Sequence, residues 1–126
     1  MADTLSLNGS IQTRPTQGNP SGDPEVIVTL TERVGLINKS LSFYQLTADS
    51  PVSVGFGGLT NCNVLMIKVE VGKVRARITS ADGTSQAVPV DTLLILFSSS
   101  VPVTAIDLTR VAGVDTTVRV FLGERS

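Results

Sequence analysis

Apolar and polar residues alternate with a period of two through much of the chain. In "EVIVTLTER" (25–33), Val26, Val28 and Leu30 share one phase, and the intervening threonines fall in the other. Successive side chains of a β-strand point to opposite faces of the sheet, so this pattern predicts a strand with one buried face. We therefore expect Val26, Val28 and Leu30 to face inward.

Similar segments follow one another along the chain, separated by glycine, proline or Asp-Gly signals. The other predicted strands lie in "TLSLNGSI", "KSLSFYQLTA", "PVSVGF", "NVLMIKVEV", "KVRARITS", "VPVTAIDLTR" and "TTVRVFLGE". Gly72 and the pair Asp82-Gly83 are predicted to close hairpins, since glycine accepts the positive φ that such turns require. No segment longer than a turn shows a helical period.

Two segments are apolar in both phases. In "KSLSFYQLTA", Leu41 and Phe43 oppose Tyr44 and Leu46, so a bulge or a second buried surface is needed there. The run "LLILF" (93–97) is too short for a helix that stands alone and has turn signals on either side. A strand covered on both faces is the prediction for 93–97.

The N-terminal residues form a separate segment. Leu5, Leu7 and Ile11 share one face of a strand in which Gly9 is a candidate site for a bulge. The segment "TRPTQGNPSGDPE" (13–25) then carries three prolines and two glycines. Loops of this length inside compact domains are often functional or mobile. Two alternatives stay open: a flexible connection, or an arm that leaves its own domain and docks on a neighbour.

The composition predicts one all-β domain. The chain has 126 residues, with 41% hydrophobic and 4% aromatic residues, and its core must therefore be aliphatic. Many short strands joined by turns are typical of an antiparallel β-sandwich or jelly-roll-like domain, with a small closed barrel as the alternative. We expect an extended N-terminal strand or arm with its flexible loop (1–24), followed by the β-sandwich (25–126).

Charge and residue types argue against most chemistry. Ten basic and 11 acidic residues give a net charge of −1, without the basic block that binding to nucleic acid requires. The chain has no histidine and a single cysteine, Cys62, which argues against zinc and against the commonest general base. The carboxylates of Asp82, Asp91, Asp107 and Asp115 are assigned to turns and solvated strand faces. We predict no catalytic residue, metal or cofactor.

Surface contacts between copies are the remaining candidate sites. Arg75 and Arg77 project from one strand face, either into solvent or as a strip of intersubunit salt bridges. The complete set of candidate intersubunit contacts is Leu5, Leu7, Ile11, Tyr44, Arg75 and Arg77. The near-neutral charge suits a protein that packs against other proteins. We therefore expect a homo-oligomer.

The segment "TSADGTSQAVPVDTLLILFSSSVPVTAIDLTRVAGVDTTVRVFLGE" resembles small, uncharacterised virion proteins encoded among the structural genes of tailed bacteriophages. A weaker part of the match runs through "LTADSPVSVGFGGLTNCNVLMIKVE", so most of the chain from about residue 45 onward is covered. The resemblance implies a capsid decoration protein, or another small head or tail component. It supplies no functional residues.

The resemblance also sets expectations for partners and location. It implies contacts with the major capsid protein or other virion proteins. The first residues lack a basic segment followed by an apolar one, and the apolar runs are too short for a membrane span. We expect a protein made in the host cytoplasm without a signal peptide, carried in the virion, and without nucleic-acid or membrane partners. A tail or head–tail component and a module binding host-surface glycan or protein are the alternatives.

Overall fold

The alternating segments form strands in the computed structural model, which describes residues 3–13, 25–97 and 101–126. Of residues 12–13 and 25–27 the backbone alone is described, and most of the predicted loop 13–25 lies outside these ranges. Within the described ranges the strands are β1 (Asp3–Thr13), β2 (Glu25–Leu46), β3 (Val52–Ser53), β4 (Val64–Val71), β5 (Val74–Ser80), β6 (Ser85–Val90), β7 (Leu93–Phe97), β8 (Val103–Arg110) and β9 (Thr116–Arg125). No helix occurs in them, and the predicted all-β class is confirmed.

The strands pair into two antiparallel sheets. Sheet A has the order β1-β2-β9-β4-β7, and sheet B has the order β3-β8-β5-β6. The sheets curl as a half-barrel around one hydrophobic core, to which both contribute side chains. Because inward and outward positions alternate, every second residue of a central strand belongs to this core.

The central strands follow the predicted alternation closely. In β5, Val74, Ala76 and Ile78 are buried while Arg75 and Arg77 are exposed. In β9, the buried row is Val118, Val120 and Leu122, as predicted. The facing core residues of β4 and β8 are Leu65, Ile67, Val69, Ile106 and Leu108. These strands have neighbours on both edges, so that one phase of each is fully covered.

The hairpin turns lie where the glycines predict them. Gly72 (φ +83°) separates β4 from β5, and Gly83 (φ +88°) separates β5 from β6. The N–H of Thr84 donates to Asp82 Oδ1 at 2.9 Å, an Asx-type turn. Hydrogen bonds from Thr84 lower the pKa of the Asp82 carboxyl below its ordinary value.

Strand β2 is 22 residues long and belongs to two different pairings. Residues 25–36 pair with β1, and Leu36–Leu46 pair with β9, with a bulge between Leu36 and Asn38. We call β1 together with residues 25–36 the ribbon. The extended arm is not confirmed, because β1 pairs along its whole length with β2 of its own chain.

Two predicted inward residues on β2 and the predicted bulge position on β1 need correction. Val28 is 40% exposed, and Leu30 is half-buried, so the first half of β2 has no fully covered face at these positions. The irregularity in β1 lies between Ile11 and Gln12 and not at Gly9. Val28 and Leu30 are not fully covered because, in the described part of the chain, this half of β2 has only β1 beside it.

Strand β7 is confirmed as a strand, but the prediction that it is covered on both faces is wrong. It forms an edge of sheet A and pairs with β4 alone. Leu94 and Leu96 pack against the core, whereas Leu93 and Phe97 are 54% and 40% exposed. The second apolar phase of this strand therefore lies on the opposite side of the sheet.

Candidate protein-interaction surface

Sheet A carries apolar side chains on the side that faces away from the core, which we call the outer face. The strand register places residues of β7, β4, β9 and β2 side by side there. One row is Leu93, Lys68, Arg119 and Phe43; the next is Ile95, Met66, Phe121 and Leu41. Residues directly opposite each other in antiparallel strands share a face, so both rows form one continuous surface.

The outer face exposes large side chains that would ordinarily be inside. Leu41 is 60% exposed and Phe43 is 59% exposed, in addition to Leu93 and Phe97 on β7. The guanidinium of Arg119 lies 4.5 Å from the centroid of the Phe43 ring and makes a cation–π contact with it. Arg119 Nε also lies 3.7 Å from Glu70 Oε1. The apolar side chains therefore stand beside basic groups.

A groove of about 220 Å³ runs across this face. Its lining residues are Leu5, Leu41, Met66, Lys68, Leu93, Arg119 and Phe121. Leu5 comes from the ribbon, so the ribbon forms one wall of the groove. Lys68 makes no ion pair with any residue that the structure describes.

Leu36 anchors the ribbon on the outer face. Leu36 is 2% exposed, and Val64 is fully buried. Neither residue belongs to the core cluster between the sheets. A Cβ at position 123 would lie 3.0 Å from Leu36 Cδ2 and 3.3 Å from Val64 Cβ, so Gly123 makes room for both side chains. An ion pair of 2.8 Å joins Lys39 Nζ to Asp3 Oδ2 on the solvent side. This ammonium group lowers the pKa of the Asp3 carboxyl by hydrogen bonding and by charge.

The ribbon has one apolar and one polar face. Across it, Leu5 pairs with Val34 and Ile11 pairs with Val28. We call this face the apolar row; its members are Leu5, Leu7, Ile11, Val28, Leu30 and Val34, with Glu32 among them opposite Leu7. The other face consists of Thr4, Ser6, Asn8, Ser10, Thr29, Thr31 and Arg33. The prediction that Leu5, Leu7 and Ile11 share one face is confirmed by this register.

The six predicted contact residues are not brought together. Leu5 lines the groove, Leu7 is half-buried, and Ile11 is 52% exposed near the end of the ribbon. Tyr44 lies on the core side of sheet A, and Arg75 and Arg77 lie on sheet B. Only the ribbon residues among the six belong to the outer-face surface.

Tyr44 lies on the core side of sheet A. Its ring packs against the core, and the N–H of Gly55 donates a hydrogen bond of 3.0 Å to Tyr44 Oη. The side chain therefore holds the loop after β3 against β2. This position does not favour the intersubunit contact that the sequence suggested for Tyr44.

Arg75 and Arg77 project from sheet B, on the opposite side of the molecule from the groove. Arg77 Nη1 donates to Ser85 Oγ at 3.4 Å on the neighbouring strand β6. Both arginines are exposed, as the alternation in β5 predicts. Their role between subunits stays a prediction, independent of the outer face.

Sequence reasoning missed the outer-face residues of β2, β4, β7 and β9. The available signal was the apolar character of both phases in "KSLSFYQLTA" and "LLILF". The sequence predicts a bulge or a second buried surface for the first segment and burial of both faces for the second. The structure places Leu41, Phe43 and Leu93 on a surface instead, where no described residue covers them fully.

A second cavity, of about 250 Å³, opens between the edges of the two sheets. It is lined by Ile78, Ser80, Thr84, Gln86, Val88, Leu94 and Leu96. The apolar members belong to the core or its margin, and the polar members lie on β5, β6 and the turn between them. This cavity continues the open margin of the core and holds no charged side chain.

Among the described residues, Arg110 joins the carboxylates of Asp49 and Asp115, while Cys62 and the other carboxylates singled out from the sequence have separate surroundings. Cys62 is 1% exposed, and burial raises the pKa of its thiol to about 11, which disfavours the nucleophilic thiolate. The four carboxylates singled out above each have a separate neighbour: Thr84 for Asp82, Lys73 for Asp91, Ser53 for Asp107 and Arg110 for Asp115. Among the residues described, no three His, Cys, Asp or Glu side chains are grouped as metal ligands would be. The described residues form no helix that is long and apolar enough to cross a membrane.

No model of a known protein family matches the chain, and no curated protein sequence matches it significantly.

Proposed function

We propose that this chain is a structural protein of a tailed-phage particle, with decoration of the capsid as its role and protein–protein contact as its mode of action. One observation carries the proposal: an exposed apolar groove on the outer face of sheet A, with the basic residues Lys68 and Arg119 in its lining. The resemblance to small virion proteins that the sequence suggests from about residue 45 onward implies the same role.

The size of the apolar surface supports a function in binding protein. A fully exposed large apolar side chain presents about 150–200 Å², so Leu41, Phe43, Leu93 and Phe97 expose on the order of 400 Å² between them. Soluble monomers rarely expose a contiguous apolar patch beyond a few hundred Å², and patches of that size mark interaction sites. A surface of this kind is stable in water when another protein covers it.

The strand order supports a jelly-roll sandwich as the finer description of the fold. Strands β2·β9 and β4·β7 pair in sheet A, while β3·β8 and β5·β6 pair in sheet B. This nested order is what a single long hairpin gives when it is rolled up so that successive segments alternate between two sheets. Jelly rolls occur in viral capsid and lectin domains, so the fold is compatible with the proposal without requiring it.

Quantitative mass spectrometry of purified particles tests the proposal. The copy number of this chain is measured against that of the major capsid protein, with isotope-labelled peptides of both as standards. Decoration predicts a copy number of the same order as that of the capsid protein. A copy number that is a small fraction of it would instead assign the chain to the tail or the head–tail junction.

A second measurement separates decoration from receptor binding. Purified protein is added to particles that lack it and, in parallel, to host cells. Decoration predicts saturable binding to the particles and none to the cells. Binding to cells alone, or absence of the chain from purified particles, would overturn the proposal.

A further inference from the structure

We propose that the outer face of sheet A is the contact between two copies of this chain, with the apolar row of each ribbon lying in the groove of the other copy. The inference names the partner of the surface on which the proposed function rests. Its test, however, uses purified protein and no particle.

The ribbon supplies the first step of the argument. β1 pairs only with β2 in the described chain, and the pairing of β2 with β9 stops at Leu36. A two-stranded hairpin by itself is marginally stable in water, and burial of one face makes it stable. Near the free end, Ile11 and Val28 are 52% and 40% exposed on the same face. No described residue therefore covers this half of the ribbon fully.

The groove supplies the second step. Its wall contains Leu5, which belongs to the pair of the apolar row, Leu5 and Val34, that lies next to the anchor at Leu36. The apolar row and the groove are thus continuous on one side of the molecule, and each leaves apolar side chains exposed. In a two-fold arrangement the same patch is used by both partners. Each ribbon then covers the groove opposite it, and one contact covers both exposed surfaces.

The charges on the two surfaces are complementary. Glu32 is the acidic residue within the apolar row, and the groove contains the basic residues Lys68 and Arg119. Neither Glu32 nor Lys68 has an ion-pair partner in the described part of the chain. A second ribbon in the groove brings Glu32 to Lys68, whereas Arg119 already lies beside Glu70 of its own chain. This match favours another copy of the chain over a partner of unspecified charge.

The available area is adequate for a dimer. With about 150–200 Å² for a fully exposed large side chain, Ile11, Val28, Leu41, Phe43, Leu93 and Phe97 expose on the order of 500 Å² per copy. Stable interfaces of standard size bury about 800 Å² per partner, to which polar and backbone atoms contribute nearly half. The half-buried apolar residues and the ribbon backbone can supply that remainder.

Sedimentation velocity over a range of concentrations tests the inference with the purified full-length chain. The wild type is expected to have the mass of two copies. Leu93→Asp in the groove and Val28→Asp in the ribbon are each expected to raise the dimer dissociation constant by about 100-fold or more, because a carboxylate would enter an apolar contact. Val114→Asp is the matched control, since Val114 is 50% exposed in the turn before β9. It should leave association unchanged.

A charge exchange tests the pairing of ribbon and groove directly. Glu32→Lys and Lys68→Glu should each weaken association, and the double variant should restore it. Circular dichroism establishes that each variant is folded. A monomeric wild type, dimers that tolerate both aspartate variants, or a double variant as weak as either single one would overturn the inference. A monomer that uses the same residues to bind capsid protein would also overturn it, and would leave the proposed function standing.

Discussion

Gly72 and Gly83 adopt nearly the same backbone conformation in different surroundings, which allows two effects to be separated. Both have φ between +80° and +90°, where an L side chain is strained by about 1–2 kcal/mol. A Cβ on Gly83 would meet open space. On Gly72 it would overlap Thr116 Oγ1 and lie 2.8 Å from the carbonyl oxygen of Asp115. Gly72 is thus needed for its small size as well as for its φ.

Alanine substitutions at the two turns are expected to differ accordingly. Gly83→Ala should lower the free energy of unfolding by about 1 kcal/mol, from strain alone. Gly72→Ala should cost about 1–3 kcal/mol more, because backbone atoms must move. Urea unfolding of both variants measures the difference. Equal losses would show that the approach of β9 to this turn does not limit position 72.

Cys62 couples the stability of the core to alkaline pH. Burial raises the pKa of its thiol from about 9 to about 11, so the folded state holds this proton more tightly than the unfolded chain does. The resulting stabilisation is complete below pH 9 and is lost as the pH rises toward 11. It amounts to about 2 kcal/mol over that range.

Comparison with Cys62→Ala isolates this effect from other alkaline titrations. The free energy of unfolding of the wild type should fall more steeply between pH 9 and pH 11 than that of the alanine variant. Urea unfolding at intervals across this range measures both slopes. Parallel slopes would contradict a buried, neutral thiol.

At the scale of the elements, β7 shows how one short apolar strand serves two surfaces. Leu94 packs against the core, while Leu93, its neighbour in sequence, is 54% exposed on the outer face. Leu94→Ala should therefore lower the free energy of unfolding by about 2 kcal/mol or more. Leu93→Ala should change it by no more than about 0.5 kcal/mol, as at other exposed positions.

Thermal and urea unfolding, performed at a concentration where the protein is monomeric, compare the two alanine variants. The low concentration matters because an interface contact of Leu93 would otherwise add to its apparent stability. Similar losses for both would mean that both faces of β7 are buried within the monomer, as the sequence had suggested.

The buried faces of the central strands could be predicted from the sequence, and those of the marginal strands could not. In β5 and β9 one phase is apolar and the other polar, so the alternation alone assigns the faces. In β2 and β7 both phases are apolar, and sequence cannot distinguish a buried second face from an exposed one. The position of each strand in the sheet order decides this, and it depends on contacts distant in sequence.

The candidate surface was predictable to the same limited extent. Leu5, Leu7 and Ile11 were found because they alternate with polar residues in a segment that stands apart. Lys68 and Arg119 could not be associated with them from sequence, since this depends on the strand order, in which β9 lies beside β2 and β4 lies beyond β9. Tyr44 is among the predicted contacts, but its phase places it with Leu46 on the core side.

For the whole molecule, the long strand β2 connects a body with a shared core to a ribbon without one. The body buries residues of both sheets between them, whereas the outer half of the ribbon is held by two strands alone. Local stability follows the number of covered contacts, so the ribbon should open more readily than β4 or β9 in a monomer. Association through the ribbon should remove this difference.

Hydrogen–deuterium exchange of the wild type and Leu93→Asp tests this division. In the variant, amides of β1 and of residues 25–36 should exchange much faster than those of β4 and β9. In the wild type, above its dissociation constant, the ribbon amides should become protected while exchange of β4 and β9 stays the same. Contact of the ribbon with a second copy gives this pattern because burial of its apolar row stabilises the β1–β2 hydrogen bonds against opening. Ribbon amides that exchange equally in both proteins would show that the ribbon is stable without a partner, and the reason for placing it in a neighbouring groove would be lost.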